Sequence, residues 1–169
     1  EALATIVQSG NYQLELVNDL LDLAKIEDNA LVPIMESVSL VEVCRSVVQL
    51  LRGRASQSGV KLSFTQDMET DRVVSDLRRV KQILMNLVGN AVKFTKENGQ
   101  VTLFLETEGE EIALVVADTG IGIPADDLPK LFDAFTQVDS AQQRRHCGSG
   151  LGLHITAKLV EALGGRIEV

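Results

Sequence analysis

The sequence predicts an α/β fold preceded by one long helix. Three observations support this prediction: a heptad pattern near the amino end, an alternation of helical and extended hydrophobic periods through the rest of the chain, and turn-forming residues at most junctions. The chain has 169 residues, of which 45% are hydrophobic. It is therefore long enough for one domain with an appendage and can form a substantial core.

The amino-terminal segment, from Leu3 to about Ile26, is predicted to be a single helix. Its apolar residues recur at alternating steps of four and three, which is a heptad seam. The seam consists of Leu3, Val7, Gly10, Leu14, Val17, Leu21 and Ala24. Such a seam favours a bundle or dimer interface, although a single amphipathic helix that folds back on its own domain would show it too. Asp28, Asn29 and Pro33 then end the helix.

The next 60 or so residues alternate between extended and helical patterns. The predicted elements are a strand at 33–38, a helix from about Leu40 to Ala55, strands at Val60–Phe64 and Val73–Val74, and a long helix that ends at Phe94. Ser39 and Glu42 have the spacing of a capping box, which predicts where the first of these helices begins. Asp76 is placed to cap the second.

The carboxy-terminal half begins with a predicted antiparallel hairpin and ends with a helix and a strand. Its predicted elements are strands at Val101–Leu105 and Ile112–Ala117, a loop at about 120–149 with a short helix at Asp127–Phe132, a helix at Leu151–Leu163 and a strand at Arg166–Val169. A structureless connection of about 30 residues is uncommon inside a compact domain. Because the loop lies between two clusters of candidate binding residues, a mobile lid explains it best.

Composition excludes several classes of function. The net charge of −8 argues against sequence-independent binding to nucleic acid or to an anionic membrane, which requires clustered Lys and Arg. Cys44 and Cys147 lie far apart without metal-ligand spacing, which indicates a reducing, cytosolic compartment and inert thiols. No apolar run approaches the roughly 20 residues of a membrane span, and we expect no signal peptide. We expect the chain to be a piece of a longer protein.

Two asparagines and a lysine share one face of the long helix. Asn86 and Asn90 are one turn apart, and Lys93 lies three residues further on. Asparagine and the intervening Gly89 are poor helix formers, so their presence in an apolar helix indicates a function. Amide oxygens are hard ligands that suit Mg²⁺, and a lysine binds phosphate as a point charge. The alternative is a solvated polar face with a packing glycine.

A carboxylate and two glycine-rich turns complete the set of candidates. Asp118 ends an apolar strand, where we expect it to be partly buried and to accept a hydrogen bond from the exocyclic amine of adenine. Gly120 and Gly122 let the backbone approach a flat base closely, whereas the alternative for Asp118 is an ordinary turn. Residues 148–153 open the last helix, whose N–H groups and dipole attract phosphate. A dinucleotide fold is disfavoured, because this turn follows no strand.

Aromatic residues and histidines in the second half have simpler interpretations. Phe132 and Phe135 are expected to pin the loop to the core rather than to contact a ligand. His154 lies inside the last helix and is expected to be a satisfied core or boundary residue, while His146 lies in the loop. The sequence contains no Ser-His-Asp, paired-carboxylate or zinc arrangement.

Together, these residues resemble the ATP-binding catalytic domain of a bacterial sensor histidine kinase of the hybrid type. Asn86–Lys93 resembles the N box of that family, Asp118–Ile123 its G1 box, Phe132–Phe135 its F box and Gly148–Leu153 its G2 box. Two longer stretches, Asn18–Glu27 and Phe132–Ser140, are typical of the hybrid kinases, which carry receiver domains downstream. The resemblance covers nearly the whole chain.

The resemblance implies the Bergerat ATP-binding fold of the GHKL superfamily, a two-layer α+β sandwich in which helices cover one face of a mixed sheet. Residues 1–30 would be the second helix of the dimerisation and phosphotransfer domain, and residues 31–169 the ATP-binding catalytic domain. The implied location is a cytoplasmic domain of an inner-membrane-anchored bacterial sensor. Its implied partners are a second copy through the N-terminal helix, an acceptor-histidine helix, and a receiver domain or response regulator.

ATP and Mg²⁺ are the ligands that the resemblance implies. Asn90 would hold Mg²⁺, with Asn86 as a second metal ligand or catalytic aid, and Lys93 would contact phosphate. Asp118 would bind the adenine. The other implied nucleotide-binding positions are Gly120, Gly122, Ile123, Ser149, Gly150, Leu151, Gly152 and Leu153, and Phe132 and Phe135 would belong to the lid.

The chain departs from the family pattern at two places. The acceptor helix, in which an acidic residue follows a histidine, is absent, because neither His146 nor His154 has that context. Cys147 stands where the lid of the family has glycine. Two alternatives therefore stay open: a degenerate kinase that acts as a nucleotide-binding or heterodimerising scaffold, or another ATPase of the superfamily, of the chaperone, topoisomerase or mismatch-repair kind. The heptad helix and the F box argue against the latter.

Overall fold

The structure is a computed structural model, and it describes most of the chain beyond residue 31. The described residues are 10, 13, 14, 16–18, 20–24, 26, 32–67, 71–109, 111–136 and 150–169. They divide into two compact units, one formed by Pro33–Asp126 and the other by the described parts of Glu1–Val32 and Asp127–Val169. The predicted domain boundary at residue 30 stays a prediction.

The described residues of Pro33–Asp126 form two helices and five strands. In chain order these are β1 (Glu36–Ser39), α1 (Leu40–Gln57), β2 (Lys61–Asp67), β3 (Arg72–Ser75), α2 (Leu77–Phe94), β4 (Gln100–Glu108) and β5 (Glu111–Asp118). Strand β4 pairs with β2 in parallel and with β5 in antiparallel orientation, which makes a mixed sheet. Strands β1 and β3 form a separate antiparallel ribbon. The predicted α/β fold and the hairpin are confirmed.

Helices cover one face of the mixed sheet, as predicted. Along β4, Val101, Leu103 and Leu105 are fully buried, whereas the intervening Thr102 and Phe104 are only half-buried. Helix α1 packs against β2 and β4, α2 packs against β4 and β5, and the two helices contact each other. The helices contribute Cys44, Val47, Leu84, Val88 and Val92 to the core. Burial of these side chains at helical spacing is what holds α1 and α2 on the sheet.

A carboxylate from a distant loop helps to cap α1. The hydroxyl of Ser39, the N-cap residue, accepts the Glu42 N–H at 3.2 Å, as the capping-box spacing predicted. The carboxylate of Asp71 accepts the Val41 N–H at 3.0 Å and the Ser39 hydroxyl proton, and its main-chain carbonyl accepts the Leu40 N–H at 3.0 Å. The hydrogen bond from Ser39, followed by that from Val41, holds the pKa of Asp71 below its ordinary value.

Acid is therefore expected to destabilise this unit in part through Asp71. A carboxyl group whose pKa is lower in the folded chain stabilises the fold fully above its unfolded pKa of about 3.9 and loses this contribution as the pH falls through the folded value. We expect the free energy of unfolding in urea to decrease less on acidification in Asp71→Asn, whose amide can cap but does not titrate. Equal pH dependence of the two chains would contradict the prediction.

A second carboxylate caps α2 and ties it to the chain before β1. Asp76 is only 7% exposed, and its Oδ1 accepts the Arg79 N–H at 3.0 Å, which confirms the predicted cap. Its Oδ2 accepts the Ile34 N–H at 2.9 Å. Burial raises the pKa of Asp76, but hydrogen bonds from backbone N–H groups, that of Ile34 first, outweigh burial and leave the pKa below its ordinary value.

The described residues of Asp127–Val169 contain α3 (Gly152–Ala162) and a turn of 3₁₀-helix at Leu128–Lys130. The short helix predicted at Asp127–Phe132 is thus only a 3₁₀ turn, because the N–H groups of Leu131 and Asp133 bond to carbonyls three residues back. The strand predicted at Arg166–Val169 is wrong. An extended segment becomes a strand only when a neighbour pairs with it, and no described strand does so.

The described residues between 10 and 26 are helical, in agreement with the prediction for this segment. Three members of the heptad seam, Leu14, Val17 and Leu21, are 63%, 51% and 53% exposed. Leu3 and Val7, the first two members, lie outside the described residues. Within the part of the chain that the structure describes, no helix combines the length and apolar character needed to cross a bilayer.

Candidate nucleotide-binding site

The carboxyl end of α2 and the turn after β5 meet at a single junction. The Ile121 N–H donates to the Phe94 carbonyl at 3.3 Å, which joins the turn to the last residue of α2. Within the turn, the Gly120 N–H donates to Asp118 Oδ1 at 2.7 Å. The junction therefore brings the predicted G1 box beside the end of the helix that carries Asn86, Asn90 and Lys93.

Gly120 is the point of closest approach at this junction. A methyl group on Gly120 would place its carbon 2.6 Å from both Asp118 Oδ1 and the Phe94 carbonyl oxygen. The carbonyl belongs to the helix backbone, so it cannot move aside as the end of a flexible side chain could. Only glycine lets the two elements come this close.

Gly120→Ala is expected to separate the turn from α2. The added methyl group should lower the free energy of unfolding by roughly 1–3 kcal/mol, as other overpacking substitutions do, and weaken ATP binding by about tenfold or more. Gly89→Ala is the control, since no heavy atom lies within 4 Å of its added carbon and alanine suits a helix interior better by about 0.5–1 kcal/mol. Urea unfolding and calorimetry measure both effects, and wild-type stability in Gly120→Ala would contradict the close approach.

The polar side chains of α2 form a continuous row. Asn90 Nδ2 donates to Asn86 Oδ1 at 3.3 Å, and both side chains are half-buried. This hydrogen bond turns Asn90 Oδ1 away from Asn86. Lys93 is also half-buried, and its Nζ lies 5.1 Å from the centroid of the Phe94 ring, within cation–π range. The row is thus an ordered, partly covered feature rather than a fully solvated face.

The charge of α2 suits an anionic ligand. This helix lies in a chain whose net charge is −8, yet it contains no acidic residue. Its basic residues are Arg78, Arg79, Lys81 and Lys93. Of these, Lys93 lies at the end of α2 that meets the junction, and its positive charge suits a phosphate group.

The amide oxygens of Asn86 and Asn90 on α2 are candidate ligands for Mg²⁺. Among the described residues, no group of three or more His, Cys, Asp or Glu side chains could hold a metal ion. An amide oxygen from α2 together with phosphate and water oxygens would be one suitable set of ligands. Mg²⁺ accepts such a set, because it prefers hard oxygen ligands and commonly binds with substrate phosphates.

The second unit joins the F box to the start of α3. Gly150 has φ +70°, and a methyl carbon there would lie 3.0 Å from the Phe135 carbonyl carbon and 3.1 Å from the Thr136 carbonyl oxygen. His154 Nδ1 lies 2.8 Å from the Phe132 carbonyl oxygen, so His154 is a satisfied boundary histidine, as expected. Leu151 is fully buried and precedes the first helical residue, Gly152.

Comparisons with known proteins identify the family of the chain. The sequence pattern of the family described as histidine kinase-, DNA gyrase B-, and HSP90-like ATPase matches residues 75–169. The chain belongs to this family. The matched region contains both Asn86–Lys93 and Asp118–Ile123, together with all of α3.

Relatives of the chain include named kinases. The signal transduction histidine-protein kinase BarA of Escherichia coli strain K12 is 42% identical over 174 residues, which cover 98% of this chain and 19% of BarA. The crystal structure of full-length ShkA in complex with AMPPNP matches with a TM-score of 0.83 and 33% identity, over 96% of this chain and 34% of that chain. Histidine kinase ThkA in complex with the response regulator protein TrrA matches with a TM-score of 0.73 and 26% identity, over 98% and 45% of the two chains. The chain thus spans about a fifth of the length of BarA.

Two expectations from the sequence were wrong. One concerned the burial of Asp118, and the other concerned the contacts of the Phe135 ring. Asp118 is exposed rather than partly buried, because the turn packs its backbone, not a side chain, against Phe94. Phe135 has φ +61° and is 65% exposed, so this ring does not pin the loop to the core, whereas Phe132 is half-buried. Ser149 and Cys147 lie outside the described residues.

Sequence reasoning missed the part that Phe94 plays at this junction. Its carbonyl binds the turn after β5, and its ring contacts the Lys93 ammonium group. The first contact depends on how α2 and β5 meet in space, whereas the second joins neighbouring residues of α2. The only signal in the sequence was that Phe94 is the last residue of the predicted helix.

Proposed function

We propose that the chain is the catalytic ATP-binding domain of a hybrid two-component sensor histidine kinase. It binds MgATP and transfers the γ-phosphoryl group to a histidine on a helix outside this chain. The observation that carries this proposal is the junction between α2 and the turn after β5, which holds Asn90, Lys93 and Asp118 on one unit of the structure. The kinases among the relatives of the chain support it further.

In this proposal, Asp118 selects adenine. Its Oδ1 is engaged by the Gly120 N–H at 2.7 Å, which orients the carboxylate. The exocyclic amine of adenine then donates to Oδ2, and a carboxylate discriminates well because it can only accept. Gly122 and Ile123 lie in the same turn and contact the base.

Asn90, Asn86 and Lys93 act on the phosphates. Asn90 binds Mg²⁺ through Oδ1, because its Nδ2 is engaged with Asn86. Asn86 therefore orients the side chain of Asn90 and is not itself a second metal ligand of equal importance. When bound, Mg²⁺ offsets the charge of the phosphates. Lys93 contributes a further positive charge, held near the site by its contact with the Phe94 ring.

Residues 149–153 bind phosphate at the start of α3, and Phe132 and Phe135 belong to the lid. Leu151 is the residue before α3, and the N–H groups and dipole at the start of a helix suit a phosphate group. The exposed Phe135 ring is available to cover a nucleotide or a partner when the lid closes. Catalysis in this scheme is mostly positioning and charge neutralisation.

The partners proposed are those of a sensor kinase in a phosphorelay. The exposed side chains of Leu14, Val17 and Leu21 suit a homodimer formed through the N-terminal helix. An acceptor-histidine helix and a receiver domain or response regulator complete the pathway of the phosphoryl group. The proposed location is the cytoplasmic part of an inner-membrane-anchored bacterial sensor, without nucleic-acid or membrane contacts from this region.

Phosphoryl transfer to a supplied acceptor tests the proposal. The chain alone is expected to bind MgATP without phosphorylating itself. Mixed with γ-labelled ATP and a dimerisation domain that supplies the acceptor histidine, it should form an acid-labile, base-stable phosphoramidate. Normal ATP binding without any acid-labile phosphate would favour the scaffold alternative, and hydrolysis of ATP without transfer would favour another ATPase of the family. Absence of ATP binding would contradict all three.

A further inference from the structure

The outer edge of the mixed sheet borders a groove that the proposed reaction does not use. Strand β2 lies at one edge of the sheet, whose described strands are ordered β2–β4–β5. Between β2 and α1 lies an open groove of about 510 Å³, which we call the edge groove. It is lined by Arg45, Val48, Gln49 and Arg52 of α1 and by residues 62–64 of β2.

The backbone of β2 presents hydrogen-bonding groups to the edge groove. The Lys61 N–H donates to the Gly99 carbonyl at 2.9 Å, so the backbone groups of Lys61 face β4. Successive residues of a strand point their N–H and C=O groups to opposite sides. Those of Leu62 and Phe64 therefore point to the outer edge. An edge of this kind is a template on which an extended peptide can add as a further strand.

The side chains of the edge groove select the charge of such a peptide. Arg45 and Arg52 are both exposed, and no acidic residue is among the groove-lining residues that the structure describes. Helix α1 carries three arginines and one glutamate in a chain whose net charge is −8. The groove is thus a locally positive surface on an acidic protein and complements carboxylates.

The spacing of the two arginines matches an extended chain. Arg45 and Arg52 are seven positions apart, which is about 10 Å along a helix axis. In a strand, alternate side chains lie on one face and are about 6.6 Å apart. Carboxylates two residues apart are therefore closer together than the two arginines, and carboxylates four residues apart, at about 13 Å, are further apart. The flexible arginine side chains can take up the difference.

A second copy of this chain is a poor occupant of the edge groove. If two β2 strands paired edge to edge, they would bring Arg45 and Arg52 of both copies together, and like charges in an interface are unfavourable. An acidic segment of another protein meets no such repulsion.

We propose that the edge groove binds an extended acidic segment of a partner protein as a fourth strand beside β2. The backbone of the segment pairs with Leu62 and Phe64, and its carboxylates meet Arg45 and Arg52. This surface is separate from the nucleotide site, because β4 lies between β2 and the strand that carries Asp118. The inference therefore does not depend on the proposed phosphoryl transfer.

The test uses the full chain and a fluorescent seven-residue peptide of alternating glutamate and valine. Fluorescence anisotropy should show binding that the double variant Arg45→Glu/Arg52→Glu weakens by about tenfold or more. Arg54→Glu is the matched control, since Arg54 is exposed on α1 but does not line the groove, and it should change affinity by less than about threefold. Circular dichroism of each variant checks that its fold is retained.

A second probe separates strand addition from simple charge attraction. The same peptide, N-methylated on the alternate amides that would face β2, keeps its carboxylates but loses its backbone donors. It should bind about tenfold more weakly than the unmodified peptide. Equal affinity of the two peptides, an equal loss in Arg54→Glu, or no binding of the unmodified peptide to the wild-type chain would each overturn the proposal.

Discussion

Asp118→Asn is expected to lower ATP affinity by about 10- to 150-fold while leaving the free energy of unfolding nearly unchanged. Asparagine keeps an oxygen for the Gly120 N–H, which lies 2.7 Å from Asp118 Oδ1 in the wild type. Its amide nitrogen, however, would face the exocyclic amine of adenine, and two donors cannot bond. A lost hydrogen bond to a charged group is worth about 1.5–3 kcal/mol, which gives the expected range.

Two controls distinguish base recognition from other effects of Asp118. Asp118→Ala should lose affinity and also stability, because the Gly120 N–H loses its partner. Asp67→Asn removes the same charge from the exposed end of β2 and should leave affinity unchanged. Calorimetry with ATP measures all three variants, and wild-type affinity in Asp118→Asn would remove Asp118 from the base-binding role.

Asn90→Ala is expected to reduce phosphoryl transfer by at least about a hundredfold, because a ligand that holds Mg²⁺ against the phosphates is lost. ATP binding should weaken far more in magnesium than in EDTA, since the missing group contacts the metal rather than the base. Asn86→Ala should show a smaller loss of the same kind, because Asn86 acts by orienting Asn90 through their 3.3 Å hydrogen bond.

Gln82→Ala provides a matched control on the same helix. Gln82 carries an amide one turn before Asn86, and its Oε1 accepts from Arg79 Nη1 at 2.8 Å. Its removal should leave transfer within about twofold of wild type. If Asn90→Ala weakened ATP binding equally in magnesium and in EDTA, Asn90 would be a structural residue and not a metal ligand.

Features that depend on neighbouring residues were predictable from the sequence. Ser39 and Asp76 cap helices through N–H groups three residues away, so their spacing alone indicated where α1 and α2 begin. The hairpin was predictable for the same reason, because Gly109 stands between two apolar segments. The row formed by Asn86, Asn90 and Lys93 follows from helical periodicity.

Features that depend on tertiary contacts were not predictable. Asp71 contributes to the cap of α1 from 32 residues beyond Ser39, and no local pattern marks it. The exposure of Asp118 depends on how the turn after β5 meets Phe94. The apolar composition of β5 gives no information about that contact. Arg166–Val169 has the composition of a strand, but a strand also requires a partner, and composition cannot supply one.

Hydrogen bonds at both ends of α2 connect this helix to other segments of its unit. At one end, Asp76 holds the Ile34 N–H, which belongs to the stretch through which the chain enters the unit. At the other end, Phe94 holds the turn that carries Asp118. The helix has 18 residues and is about 27 Å long, so one continuous element joins Ile34 to the turn after β5. In a sensor kinase of the proposed kind, α2 would connect the entry segment to the proposed adenine-binding turn without passing through the sheet.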